Sequence, residues 1–79
     1  MLDKTTNAYL YDLLVKDFEA LEFNINNLDP KYDLLEDVET YLIDMESCVT
    51  IMRDICGYPE PYIREYNKIH NRVYSEFKN

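Results

Sequence analysis

The chain has 79 residues, eight of them basic and sixteen acidic, with one histidine and a net charge of -8. That length holds one domain with one modest core, and a single glycine, Gly57, excludes the glycine-rich loops that bring backbone amides against phosphate. One histidine and two cysteines are too few for a zinc site of the usual spacing.

Hydrophobic residues make up 47% of the chain and charged residues 30%, a balance that supports a packed core rather than disorder. No apolar run approaches the ~20 residues of a membrane span. Met1-Leu2-Asp3-Lys4 lacks the apolar core of a signal peptide, so a soluble cytoplasmic protein is expected. The preference for Asn, Ile, Asp, Tyr and Lys, with only Ala8 and Ala20 as alanines, resembles AT-rich coding, as in low-GC bacteria or their phages.

The first segment predicts a helix over about 5–27. Tyr11, Leu14, Phe18, Leu21, Ile25 and Leu28 recur at steps of 3, 4, 3, 4 and 3, which is one apolar stripe of an α-helix. Asn24, Asn26 and Asn27 are poor helix formers and weaken its end. Asp29-Pro30 has the chemistry of an N-cap followed by a first-turn proline, so the second helix is expected from about 30 to 56. Its stripe is Leu35, Val38, Leu42, Met45, Val49, Met52 and Cys56, with Leu34, Tyr41, Cys48 and Ile55 widening the face enough for two neighbours. Cys48 and Cys56 would lie ~12 Å apart on that helix, beyond the ~7 Å reach of a disulfide, and are read as free thiols in a reducing compartment.

Gly57-Tyr58-Pro59-Glu60-Pro61 ends the second helix, because glycine terminates it and the prolines forbid continuation. A third helix over about 61–77 follows, with Tyr62, Tyr66, Ile69, Val73 and Phe77 on one face. Strand alternation and hairpin dipeptides are absent from the sequence. The expected fold is all-α: one helical domain over 1–79, built as an antiparallel long helical hairpin with a shorter third helix. It either closes as a three-helix bundle or dimerises through the hairpin.

Two surfaces stand out. Tyr9, Leu10, Tyr11, Leu13, Leu14 and Val15 surround the first helix, with Asp12 the one polar residue among them. Either the third helix covers this surplus, or Tyr9, Leu10 and Leu13 serve self-association. Charge is the second feature: residues 1–29, 30–57 and 58–79 carry -4, -5 and +1. The hairpin is therefore acidic, while Arg64, Lys68 and Arg72 form a stripe that either faces the hairpin or pairs locally with Glu60 and Glu76.

Chemistry is not evident. A di-iron bundle needs two Glu-x-x-His pairs, but the residue three before His70 is Asn67. Glu36-Asp37-Val38-Glu39 has the wrong spacing for a helical magnesium site, and thiols on an apolar stripe are poor nucleophiles. No catalytic residue, cofactor or metal is expected, and the protein is not expected to be an enzyme. An excess of acid also argues against direct nucleic-acid binding.

The expected function is a small acidic interaction module: a stoichiometric inhibitor or regulator of phage or mobile-element type. It would bind a basic surface of a larger, nucleic-acid-handling protein. Asp12, Asp33, Glu36, Asp37 and Asp44 are the candidate contact acids, joined by Tyr58 and Tyr62 at the proline corner, because tyrosine is enriched at interfaces. The alternative is a structural homodimer with no inhibitory role. A phage origin would place the protein in the cytoplasm of a bacterial host.

Overall fold

The computed structural model describes residues 3–57 and 60–77. Helix α1 spans Lys4–Asn26, α2 spans Leu35–Ile51 and continues as a π-helical turn over Met52–Cys56, and α3 spans Glu60–Glu76. Among the described residues there is no strand. The fold is an all-α bundle measuring 46 × 16 × 16 Å, a rod in which α2 lies antiparallel to both other helices. Asn7 Nδ2 at the start of α1 donates to the Cys56 carbonyl at the end of the α2 rod (3.4 Å). Tyr74 late in α3 donates to Glu39 early in α2 (2.9 Å).

Helix α1 begins where Asp3 accepts a hydrogen bond from the Thr6 amide at 2.7 Å, an N-cap that satisfies one of the orphan donors of the first turn. The start of α2 differs from expectation. Asp29-Pro30 opens one closed turn rather than the helix. Lys31 N donates to Asp29 Oδ1 (2.9 Å), Tyr32 N and Asp33 N donate to the Asp29 carbonyl (3.0 and 2.8 Å), and Asp29 N donates to Asp33 Oδ2 (2.8 Å). With both aspartates spent inside the turn, Leu34 stays extended (φ -91°, ψ 159°) and α2 starts at Leu35 instead of Pro30. Asp37 Oδ2 accepts from Leu34 N at 2.9 Å. This is one half of a capping box, since leucine has no side-chain acceptor to complete it.

At the other end, Gly57 N donates to the Met52 carbonyl at 2.6 Å, closing the π turn. Gly57 itself sits at φ 80°, ψ 12°, the left-handed conformation that ends a helix at low cost only for glycine.

The core follows the three predicted stripes, with Cys48 added from the flank of the second and Tyr11, Leu28, Tyr62 and Tyr66 only partly buried against it. Leu14, Phe18, Leu21 and Ile25 from α1 meet Leu35, Val38, Leu42, Met45, Cys48, Val49, Met52 and Cys56 from the α2 rod, and Ile69, Val73 and Phe77 close it. No polar or charged residue is buried among the described residues. Burial of apolar area at roughly 25 cal/mol per Å² is therefore the main force holding the rod together. Two expected flanking residues are exposed instead. Leu34 precedes the helix, and Ile55 (53% exposed) is set back by the wider π turn from the position an α-helix would give it.

Polar pairs dress the outside of the α2–α3 contact. Tyr66 donates to Glu46 at 3.0 Å and Tyr74 to Glu39 at 2.9 Å. His70 lies between the two tyrosine rings, with centroids 5.8 and 4.6 Å away. The cationic stripe of α3 does not pair with its own acids. Among the described residues the one ion pair is Arg53 with its neighbour Asp54, while Arg72 donates to Asn26 of α1 at 2.7 Å.

Candidate functional site

The five candidate acids separate into two kinds. Asp33 and Asp37 are committed to the backbone of the α1–α2 connection, accepting from Asp29 N and Leu34 N. Asp12, Glu36 and Asp44 are exposed on α1 and α2. They are spread along the rod, since the antiparallel register set by Asn7 against Cys56 and Asp17 against Cys48 puts Asp12 and Asp44 at different heights. The structure does not gather the five into one patch.

Of the two candidate tyrosines, Tyr58 lies outside the described residues. Tyr62 is half-buried, its ring edge-on to Phe18 (5.3 Å, 75°) and to Tyr11 (6.2 Å, 77°), so most of it lids the core. Tyr11 is pushed above the usual phenol range chiefly by burial, then by Tyr62.

The apolar surplus of α1 divides by helical angle. Tyr11, Val15 and Leu10 pack against the core. Tyr9 (67% exposed) and Leu13 (46%) point away from it. At about 100° per residue, Leu10 turns out of the Tyr9–Leu13 row and toward the core, against which it is partly buried.

Sequence reasoning missed the continuation of that row. Phe23 is 68% exposed, and Lys16 and Ala20 between are exposed too. Tyr9, Leu13, Lys16, Ala20 and Phe23 follow steps of 4, 3, 4 and 3, a second stripe parallel in sequence to the core stripe. The signal was present, but it was masked by the all-round apolar cluster at 9–15 and by the asparagines beside Phe23.

The two thiols face different surroundings. Cys48 Sγ donates to Asp17 Oδ2 at 3.2 Å, and burial, then Asp17 and Asp44, push its pKa up to about 12. Burial alone raises Cys56. Neither is prepared as a nucleophile, because a thiol held protonated does not attack.

On the α1–α3 side, Glu22 is raised above the usual carboxylate range by burial first and by a shared hydrogen bond with Glu65 second, while Arg72 opposes the shift. A cleft at the start of α1 is lined by Lys4, Asn7, Ala8, Tyr11 and Asp12. Asn7 Oδ1 is buried beside it without a hydrogen-bond partner among the described residues.

Among the described residues no three His, Cys, Asp or Glu side chains converge to hold a metal ion, and no helix is long and apolar enough to cross a membrane. The chain matches no protein-family model, no curated protein and no solved structure.

Proposed function

We propose that the protein is a stoichiometric binding module that docks the acidic α1–α2 hairpin onto a basic surface of a larger protein and occludes it. The partner class that fits is a nucleic-acid-handling protein, and the setting that fits the composition is a phage or mobile element in a bacterial cytoplasm. What carries the reading is uncompensated charge. Residues 1–57 hold thirteen of the sixteen acidic side chains against four basic ones, and the one ion pair among the described residues is the local Arg53–Asp54 contact. Carboxylates left in water on a small rod steer it toward positive surfaces and set specificity more than raw affinity.

The test is a titration of the partner, once captured and identified, with the wild-type chain and with the triple variant Asp12→Lys, Glu36→Lys, Asp44→Lys. A one-to-one complex that weakens as salt rises from about 50 to 300 mM, and is lost in the triple variant, supports the reading. Equal affinity for both chains at every salt concentration defeats it.

A homodimer is the second reading, favoured by the exposure of Tyr9 and Leu13. Light scattering over a concentration series separates the two. A constant 9.5 kDa species rejects self-association, and a species of twice that mass supports it.

A further inference from the structure

The apolar row on the outside of α1 has a definite shape. Tyr9, Leu13, Lys16, Ala20 and Phe23 span an arc of about 80° and a length of about 21 Å, at 100° and 1.5 Å per residue. The row points away from Leu14, Phe18, Leu21 and Ile25, which fill the core, and its three large apolar side chains are 46–68% exposed. Its alternating 4 and 3 spacing is that of a coiled-coil seam. Acids border it on both sides: Asp12 and Glu19, both exposed, along one edge, and along the other Asp17, an exposed residue whose Oδ2 accepts from Cys48 Sγ of α2.

We infer that this ridge receives one amphipathic helix of the protein partner, with an apolar seam flanked by Lys and Arg. The inference rests on the proposed binding function and names the face and the chemistry that meets it. The bordering charges decide between occupants. In a coiled-coil contact the flanking positions of the two helices meet across the seam.

If a second copy of this chain packed antiparallel with Leu13 against Phe23, Asp17 and Glu19 would each face their own copies. In the parallel arrangement Asp12 would face Asp17. Lys16, in the seam itself, would meet Lys16 of the second copy in the parallel case. In both of these arrangements the bordering acids of one copy face those of the other, whereas a helix bordered by Lys and Arg meets acids along both edges. The aliphatic stem of Lys16 lies along the seam with its ammonium free to reach the rim.

Two measurements test this. The first uses a synthetic amphipathic helix of about three heptads, with Leu in the seam and Lys at the flanks, and its Glu-flanked counterpart as control. The Lys-flanked peptide should bind and shift the backbone amide resonances of residues 9–23. The variant Tyr9→Ser, Phe23→Ser, which removes only exposed side chains, should bind it at least about tenfold more weakly. Unaltered binding by that variant, or equal binding of the two peptides, overturns the inference.

The second repeats the titration of the natural partner with the same double variant. Loss of affinity supports the ridge. Retained affinity there, together with loss in the acid-reversal variant, removes the ridge and leaves the binding function standing. Retained affinity in both variants removes both. A dimer in light scattering that the double variant returns to monomer would assign the ridge to a second copy and overturn the basic helix.

Discussion

Cys48 Sγ lies 3.2 Å from Asp17 Oδ2 across the α1–α2 interface, so a buried thiol donates its proton to a carboxylate on the neighbouring helix. Loss of that proton would leave a thiolate on a buried sulfur at hydrogen-bond distance from a carboxylate, and Asp44 adds a further negative charge nearby. Cys48 should therefore stay unreactive toward a thiol reagent in the folded protein at neutral pH. Asp17→Asn should lower its pKa from about 12 yet leave it above the ordinary 9.0, because burial is the larger cause. The Cβ resonance of Cys48 followed by NMR against pH reads this directly, and a Cys48 that titrates near 9 in the wild-type chain would contradict the placement.

The same protonation states make stability depend on pH in a predictable direction. Cys48 and Tyr66 are both raised to about 12, from ordinary values of 9.0 and 10.0, and Tyr11, Tyr74 and Cys56 are raised as well. A group with a raised folded pKa stabilises fully below its unfolded value and loses that contribution as pH climbs to the folded one. From neutral pH upward, urea unfolding midpoints should hold steady to about pH 9 and fall between about 9 and 12.

Glu22 follows the same rule lower on the scale. Its contribution is complete below 4.5 and lost as pH rises through its raised value. Acidification below neutral should therefore stabilise the wild-type chain more than Glu22→Gln, and Glu22→Gln should be the more stable of the two at pH 7. Equal acid dependence in the two chains would mean that Glu22 and Glu65 do not share a proton.

Asp37 and Glu36 stand side by side in the first turn of α2, yet only Asp37 reaches back to the Leu34 amide. Asp37→Ala should cost about 1 kcal/mol, the worth of a helix cap, while Glu36→Ala should stay within about 0.5 kcal/mol. Thermal unfolding separates them, and equal losses would deny the cap.

This position also shows where the sequence was legible and where it was not. The stripes from Leu14 to Ile25 and from Leu35 to Cys56 were readable because alternating steps of 3 and 4 have one physical meaning in a chain without strand alternation. Asp29-Pro30 was ambiguous because an Asx turn and an N-cap use the same oxygen on the same kind of donor, and only Asp33 closing back onto Asp29 N decides for the turn. The Tyr66–Glu46 and Tyr74–Glu39 contacts depend on the register between helices, which no local pattern encodes. The outer row from Tyr9 to Phe23 was encoded but unread, because apolar residues on every side of 9–15 hid which of them faced out.

Gly57 offers a clean measure of backbone strain. Its φ is 80°, and a Cβ built there would meet nothing within 4 Å among the described residues. Gly57→Ala should therefore destabilise by about 1 kcal/mol through conformation alone, without a packing contribution. A larger loss would mean that the substitution disturbs packing as well as conformation, and no loss would mean that the π turn relaxes to accept the residue. Chemical unfolding of this variant distinguishes the three outcomes.

Phe18 and Phe23 occupy the same helix, one facing the core and the other the solvent. Phe18 is 1% exposed, beneath the edge of Tyr62 and among the core side chains of all three helices. Phe18→Ala should cost about 3–5 kcal/mol, most of the stability a domain of this size possesses, and should leave a large unfolded fraction at 25 °C. Phe23 is 68% exposed and fills nothing, so Phe23→Ser should shift the unfolding midpoint by no more than about 0.5 kcal/mol.

Circular dichroism with urea titration of the two variants gives both numbers. A costly Phe23→Ser would show that the ring is buried in solution, by this chain or by another copy of it. A silent Phe23→Ser beside a ruinous Phe18→Ala leaves a large aromatic side chain on the outside of a very small protein with no part in folding it, which is what a residue kept for a partner requires.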